Sequence, residues 1–249
     1  MDLNSGSPVA VQSTLNGQAV YGADVIARIS HAMTNEDGLN QLQEKIISSL
    51  NRLIGQLLAE AGVSGREVYE AVVAGNATMT HLLLGLDPEA IGVTPFIPVV
   101  EEQMRISARE IGLEIHPEAH LHILPHLGAY VGADLVGGLL ATGLARADGV
   151  RLLVDVGTNG EIILGSSRRT LATAAPAGPA FEGAQIKDGM RASDGAIEAV
   201  AITPREVRLQ VIGDVPPLGV CGSCLLDAVA QLRLSGLLAP SGRFIKTEQ

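Results

Sequence analysis

A polar turn between two apolar runs constrains the fold of this 249-residue chain more than any other segment. The runs, 152–156 and 162–164, are short and rich in branched residues, and the turn between them contains Asp155, Gly157, Thr158, Asn159 and Gly160. This pattern predicts a β-hairpin. We expect Asn159 and Gly160 to form the tight turn, because both residue types tolerate a positive φ.

The predicted hairpin carries an acid that a purely structural turn does not need. Asp155 lies near the end of the first predicted strand, beside a glycine-lined loop of free backbone N–H groups. Such N–H groups suit a phosphate, and a neighbouring carboxylate suits the Mg²⁺ ion that accompanies it. A plain surface hairpin has the same arrangement of apolar residues around Asn-Gly. The residues alone therefore leave a phosphate-binding and a structural interpretation open.

Composition excludes several classes of protein. The chain has 17 Lys and Arg against 27 Asp and Glu, a formal net charge of −10, which argues against general nucleic-acid binding. No apolar run is long enough to span a membrane, the first residues show no secretory pattern, and two cysteines make no disulfide framework. We therefore expect a cytoplasmic protein that binds neither nucleic acid nor membrane.

Apolar spacing along the chain predicts alternating helices and strands. We expect helices over 24–33, 39–61, 77–84, 101–111, 133–144 and 225–234, and a short one that follows a turn at 176–179. We expect further strands over 8–14, 68–74, 121–125, 169–174, 196–202 and 207–212. This alternation is typical of an α/β protein with a parallel or mixed sheet. A polar link at 145–149 predicts two domains, residues 1–147 and 148–249.

Several blocks of the sequence, in the same order, resemble the reductive activators of corrinoid proteins. The blocks are residues 21–29, 75–86, 130–134, 155–161, 177–184 and 221–223. These activators use ATP, carry an iron–sulfur cluster and restore Co(I) in corrinoid proteins. They are part of the superfamily of acetate and sugar kinases, heat-shock chaperones and actin (ASKHA). The resemblance implies a two-lobed, ribonuclease H-like α/β fold, with 1–147 as the first lobe and 148–249 as the second.

The resemblance also implies which residues bind ATP and Mg²⁺. Asp155 is implied to hold Mg²⁺. Asp134, at the start of the predicted helix 133–144, is implied to orient the attacking water or a metal-bound water. The residues implied to contact the nucleotide are Gly157, Thr158, Asn159, Gly160, Gly178, Pro179 and Ala180.

Three features of these activators are not found in this sequence. We expect the chain to be truncated at both ends, beginning after the first phosphate hairpin and stopping before the glycine-rich adenosine motif. It also lacks the cysteines of the ferredoxin-type domain. The resemblance therefore implies a 2Fe-2S cluster on a segment outside this chain, a corrinoid protein as partner, and a homodimer. The alternative functions are a small-molecule kinase of the same superfamily and a non-catalytic binding or dimerisation module.

Two further groups of residues are candidates for chemistry. Cys221 and Cys224 form a C-x-x-C at a predicted helix start, which suits either a redox pair or two thiols packed around a tight turn. Four histidines lie close in sequence and suit either a metal site or packed and surface positions: His116, His120, His122 and His126.

Overall fold

The structure, a computed structural model, describes residues 1–2, 4–157, 159–176, 186–203 and 205–245. Four of the predicted site residues therefore lie outside the described residues, namely Thr158, Gly178, Pro179 and Ala180, as does most of the helix expected after the turn at 176–179. The chain divides into two compact units. The first is Met1–Asp155 with Glu161–Ala174, and the second is Val156–Gly160 with Ala175–Gln249. The predicted domain boundary between residues 147 and 148 stays a prediction.

Two helices open the first unit, and local capping sets their ends. Helix α1 spans Val25–Thr34, and the Asp24 side chain caps it by accepting a hydrogen bond from the Ala27 N–H. Helix α2 spans Gly38–Ala61 and ends at Gly62, whose φ of 67° is left-handed. Both predicted helices are confirmed.

The strand predicted over 8–14 is wrong. These residues belong to no strand, and two of their apolar side chains, Val9 and Val11, are exposed. The segment instead makes side-chain hydrogen bonds with α2, where Arg52 donates to Thr14 at 2.6 Å and Gln12 donates to Glu60. Alternation alone does not make a strand when no neighbouring strand offers backbone partners.

The first sheet is mixed and has the order β1-β3-β2. Its strands are β1 (Glu70–Val73), β2 (Met104–Ser107) and β3 (His120–Ile123), with β1 parallel and β2 antiparallel to β3. One face packs against α2 and α3 (Ala77–Leu84). This core is made of aliphatic side chains, among them Ile46, Leu50, Leu83, Leu121 and Ile123.

The helix predicted over 101–111 is wrong in its first half. Residues 104–107 form β2, and only α5, Ala108–Ile111, is helical. Met104 and Ile106 both contact the core, which is the period of a strand, and β3 supplies their backbone partners. Pairing with a distant strand therefore overrides the local helical spacing. A single helical turn, α4 (Glu89–Gly92), lies in the proline-containing stretch before β2.

Helix α6 and the second sheet confirm the predicted hairpin. The sheet has the order β4-β5-β6, formed by β4 (Arg151–Val156), β5 (Asn159–Gly165) and β6 (Thr170–Pro176). The turn is not where the dipeptide predicted it, because Asn159 and Gly160 are the first residues of β5. Both residues therefore belong to the sheet rather than to the turn.

α6 spans Ala133–Thr142 and packs on one face of this second sheet. Leu135 and Leu139 from the helix meet side chains of all three strands, namely Leu153, Ile163 and Ala174. Gly138 allows a close approach, since a Cβ on it would lie 3.2 Å from Leu153 Cδ2.

The second unit contains a mixed sheet and a helix. Strand β7 (Ala196–Ile202) pairs antiparallel with β8 (Val207–Val211) and parallel with the two-residue β9 (Gly219–Val220). Helix α7 spans Gly222–Leu234. The two strands and the helix were predicted, while β9 was not. The α/β class is confirmed, and no helix among the described residues is long and apolar enough to cross a membrane.

Substitution of Gly132, the residue just before α6, tests the close packing at the start of that helix. A Cβ on Gly132 would lie 2.6 Å from Asn76 Cα and 3.0 Å from the Gly75 oxygen. We expect Gly132→Ala to lower the free energy of unfolding by about 1–3 kcal/mol, because backbone rather than a flexible side chain must move. Gly149→Ala is the control, since a Cβ there meets nothing within 4 Å. Equal urea-unfolding curves for the two variants would contradict this close packing.

Candidate functional site

The candidate site lies on the face of the second sheet that packs against α6. Leu153 of β4 and Ile163 of β5 contact α6. Because side chains alternate along a strand, Asp155 lies on the same face as Leu153, and Glu161 lies on the same face as Ile163. Asp134 is the second residue of α6 itself. The packing of one helix on one hairpin therefore brings three carboxylates to the same side of the first unit.

Glu161 is close enough to the other two carboxylates to be affected by their charge. The pKa of Glu161 is raised, first by burial and then by the negative charges of Asp155 and Asp134. The Asp134 carboxylate also accepts a hydrogen bond from the Leu135 N–H at 3.0 Å. A bound cation would relieve the repulsion that raises the pKa of Glu161.

Glu161 is the member of this carboxylate group that the sequence analysis did not single out. It is the last residue of the block 155–161, and alternation along β4 and β5 places it on the α6-facing side with Asp155. The signal that could have found it is the alternation along β5, where Glu161 and the fully buried Ile163 share one face.

The donor set of this face fits a cation that keeps most of its water. Among the described residues, no group of three or more His, Cys, Asp or Glu side chains is arranged to ligate one metal ion. Mg²⁺ usually takes one or two carboxylates, completes its octahedron with water and phosphate oxygens, and needs no protein cage. The carboxylates present therefore fit Mg²⁺ as a partial ligand set.

The loop is less open to an anion than predicted. The Gly157 N–H donates to the Asn159 carbonyl at 3.0 Å, so this donor already has a partner. Asn159 is exposed and Gly160 half-buried, and both are described as residues of β5. Their contacts with a nucleotide remain predictions, as do those of Thr158, Gly178, Pro179 and Ala180.

The start of α6 is tied to two neighbouring segments. The Ala133 N–H donates to the Gly75 carbonyl at 3.0 Å and to His126 Nδ1 at 3.1 Å. His81 is a buried residue of α3. Its Nδ1 pairs with the Ala77 carbonyl, and its Nε2 accepts a hydrogen bond from the Val99 N–H. Burial lowers the pKa of both histidines, so both rings are neutral near pH 7.

The other histidines are dispersed in separate contacts. Arg105 donates to His120 Nδ1 at 3.1 Å, and His122 Nε2 lies 3.6 Å from a Glu70 carboxylate oxygen. The His116 ring packs against that of Tyr69 in a tilted arrangement, with ring centroids 4.4 Å apart. His120 and His122 do share one strand face, as alternation along β3 predicts. These contacts favour packed and surface histidines over a metal site.

Asn76 at the start of α3 acts as a helix cap. Its side chain accepts a hydrogen bond from the Met79 N–H at 2.9 Å, which satisfies one of the free donors of the first turn. Its polar group is therefore occupied by the helix.

The two cysteines are buried, free thiols. Cys221 precedes α7 and donates to the Ile197 carbonyl at 3.2 Å, which ties the helix start to β7. The pKa of the Cys224 thiol is raised by burial, by Cys221 and by Asp227. A reactive redox pair needs an accessible thiol with a lowered pKa, so the structure favours the packing interpretation.

This burial predicts slow thiol chemistry. Cys221 and Cys224 are 2% and 3% exposed, so we expect both to react with an aromatic disulfide reagent on the order of a hundredfold more slowly in the folded protein than in urea. Ser223→Cys is the control, because Ser223 is exposed between them and its thiol should react at once. Rapid labelling of the folded wild type would contradict the packing interpretation.

Comparison with known proteins shows which family the sequence matches. Residues 1–147 match the family described as the RACo middle region, and residues 149–249 match the C-terminal domain of RACo, the ASKHA domain. Corrinoid activation enzyme RamQ of Eubacterium limosum is 38% identical over 245 residues, which are 98% of this chain and 41% of that protein. A Co(II) methylated amine-specific corrinoid protein reductase of Methanosarcina barkeri is 24% identical over an alignment of 269 residues, which covers 92% of this chain and 48% of that protein.

A solved structure gives the same result. A reductive activator for corrinoid, iron–sulfur protein is similar with a TM-score of 0.82 and 43% identity, over 98% of this chain and 39% of that one. The chain thus spans less than half the length of each of these relatives.

Proposed function

This chain belongs to the RACo family, and on that premise we propose that it is the nucleotide-binding part of an ATP-dependent reductive activator of a corrinoid protein. The names of the two relatives, a corrinoid activation enzyme and a corrinoid protein reductase, support this. The structural observation that carries the proposal is the group of three carboxylates on the α6-facing side of the hairpin. These groups repel one another, and the metal ion that accompanies a bound phosphate would offset this repulsion.

In this proposal each carboxylate has a distinct role. Asp155 supplies the protein ligand for Mg²⁺, and Glu161 accepts hydrogen bonds from the waters that the ion keeps. Asp134 orients the water that attacks the terminal phosphate of ATP. When bound, Mg²⁺ neutralises negative charge on the phosphate oxygens.

The proposed reaction needs an iron–sulfur cluster in addition to this nucleotide-binding part. We propose that ATP hydrolysis is coupled to transfer of one electron from a 2Fe-2S cluster, carried on a segment outside this chain, to a corrinoid protein. The cluster is oxidised by one electron, and Co(II) is reduced to Co(I). We also propose a homodimer, and residues 1–147 and 148–249 as the two lobes of the nucleotide-binding part.

Binding of Mg·ATP tests the site. We expect Asp155→Ala to weaken Mg·ATP binding by at least about tenfold in calorimetry, because the variant loses a metal ligand. Chelating Mg²⁺ should weaken the wild type to the same extent and leave the variant nearly unchanged. Asp148→Ala is the matched control, since Asp148 is an exposed acid just before β4. If neither Asp155→Ala nor removal of Mg²⁺ weakens ATP binding, the nucleotide does not bind at this site.

Turnover in a longer protein that carries this chain together with an iron–sulfur segment tests the activity. We expect its ATP hydrolysis to rise when a Co(II) corrinoid protein is added, and a Co(I) absorption band to appear only with ATP and a reductant. Asp155→Ala should abolish both signals, while Asp148→Ala should retain them. A phosphorylated small molecule among the products would instead identify a kinase, and binding without turnover would identify a binding module.

A further inference from the structure

We propose that His126 is a positioning residue that holds the first turn of α6, and through it Asp134, in place. The inference rests on the proposed function, because Asp134 is assigned to the attacking water there. His126 is 6% exposed, and its Nδ1 accepts a hydrogen bond from the Ala133 N–H at 3.1 Å. Ala133 directly precedes Asp134 in the first turn of the helix.

The hydrogen bond determines which form of the ring fits. A backbone N–H only donates, so His126 Nδ1 must be unprotonated and the neutral ring carries its proton on Nε2. Protonation of the ring would put a second N–H against that of Ala133 and remove the acceptor. Nε2 is buried and has no hydrogen-bond partner among the described residues.

The surroundings of the ring keep it neutral near pH 7. Burial and the neighbouring His81 of α3 lower the pKa of His126 below its ordinary value of about 6.5. The carboxylates that oppose them are Glu101, in the segment before β2, and Asp134 of α6. Because the pKa is lowered on balance, the neutral form is present above pH 6.5, and the contact with Ala133 is lost only as the pH falls through the lowered pKa.

The contact affects Asp134 through Ala133, its direct neighbour in the first turn of α6. The N–H groups of the first turn have no partners within the helix, and that of Ala133 is satisfied by the Gly75 carbonyl and His126 together. Without His126 the N–H keeps only Gly75, and the turn that carries Asp134 can shift. A shift of about 1 Å in a group that orients a reactant is enough to lower a rate by about a hundredfold.

Nuclear magnetic resonance of the Ala133 amide tests the inference without relying on activity. In the wild type we expect this resonance to move with the titration of His126, and the ring nitrogens to show a proton on Nε2 at pH 7. His126→Asn offers a carbonyl oxygen in place of Nδ1, so the amide shift should become independent of pH. His126→Ala should speed exchange of the Ala133 amide by about fivefold, as expected for one lost neutral hydrogen bond.

A matched control is available in the same chain. His116 Nδ1 also accepts a backbone N–H, from Glu118 at 3.1 Å, in the loop before β3. His116→Asn should therefore leave the Ala133 amide and the turnover unchanged. A His116 variant that alters Ala133 as much as the His126 variants do would overturn the inference.

ATP turnover in the longer protein provides the functional readout. We expect the rate of the wild type to fall at acidic pH, and His126→Asn to move that fall to lower pH while retaining kcat at pH 7. His126→Ala should lower kcat with little change in KM. If neither the titration nor the substitution of His126 changes the resonance or the exchange rate of the Ala133 amide, the inference is overturned. If the amide responds but Asp134→Asn turns over ATP normally, the role of Asp134 fails while the role of His126 in holding the helix stands.

Discussion

The packing of α6 across the β4-β5-β6 sheet is the interaction on which the candidate site depends. Leu135 and Ile163 are almost completely buried in it, and each such aliphatic side chain contributes about 1.5–3 kcal/mol. Repulsion between carboxylates that face water is about 1 kcal/mol or less. The apolar contacts therefore outweigh the electrostatic cost of bringing Asp134, Asp155 and Glu161 to one side. The fold can hold an unfavourable group of charges ready for a ligand because the core beneath it is strong enough.

The helix start contributes to the same balance. Asp134 lies in the first turn of α6, where unpaired N–H groups and the helix dipole favour negative charge. Asp155 and Glu161 lie on strands and have no such support. Glu161 is half-buried, and burial first, then the charges of Asp155 and Asp134, raise its pKa. A nearby cation would therefore favour the charged form of Glu161.

Local patterns predicted those elements whose limits are set by nearby residues. The long apolar stripe of α2 and the cap of α3 by Asn76 are local features, and both helices were predicted closely. The predictions over 8–14 and 101–111 failed because strand formation depends on a partner distant in sequence. Residues 104–107 find that partner in β3, whereas residues 8–14 lie beside a helix. The Asn-Gly turn moved for a related reason, since strand pairing takes up both residues.

The same limit applies to the site. Asp134 and Asp155 could be proposed from the sequence because they stand at the ends of recognisable elements within matching blocks, and their roles stay predictions. Glu161 and His126 could not, because their roles depend on which face of a strand meets α6 and on which ring nitrogen meets the Ala133 N–H. Both residues also make the site sensitive to acid, through opposite changes. Protonation of Glu161 removes negative charge that attracts a cation, whereas protonation of His126 adds positive charge and removes a restraint on Asp134. Under the proposed function, acid therefore weakens both the attraction for Mg²⁺ and the placement of Asp134, and only substitution of one residue at a time separates the two effects.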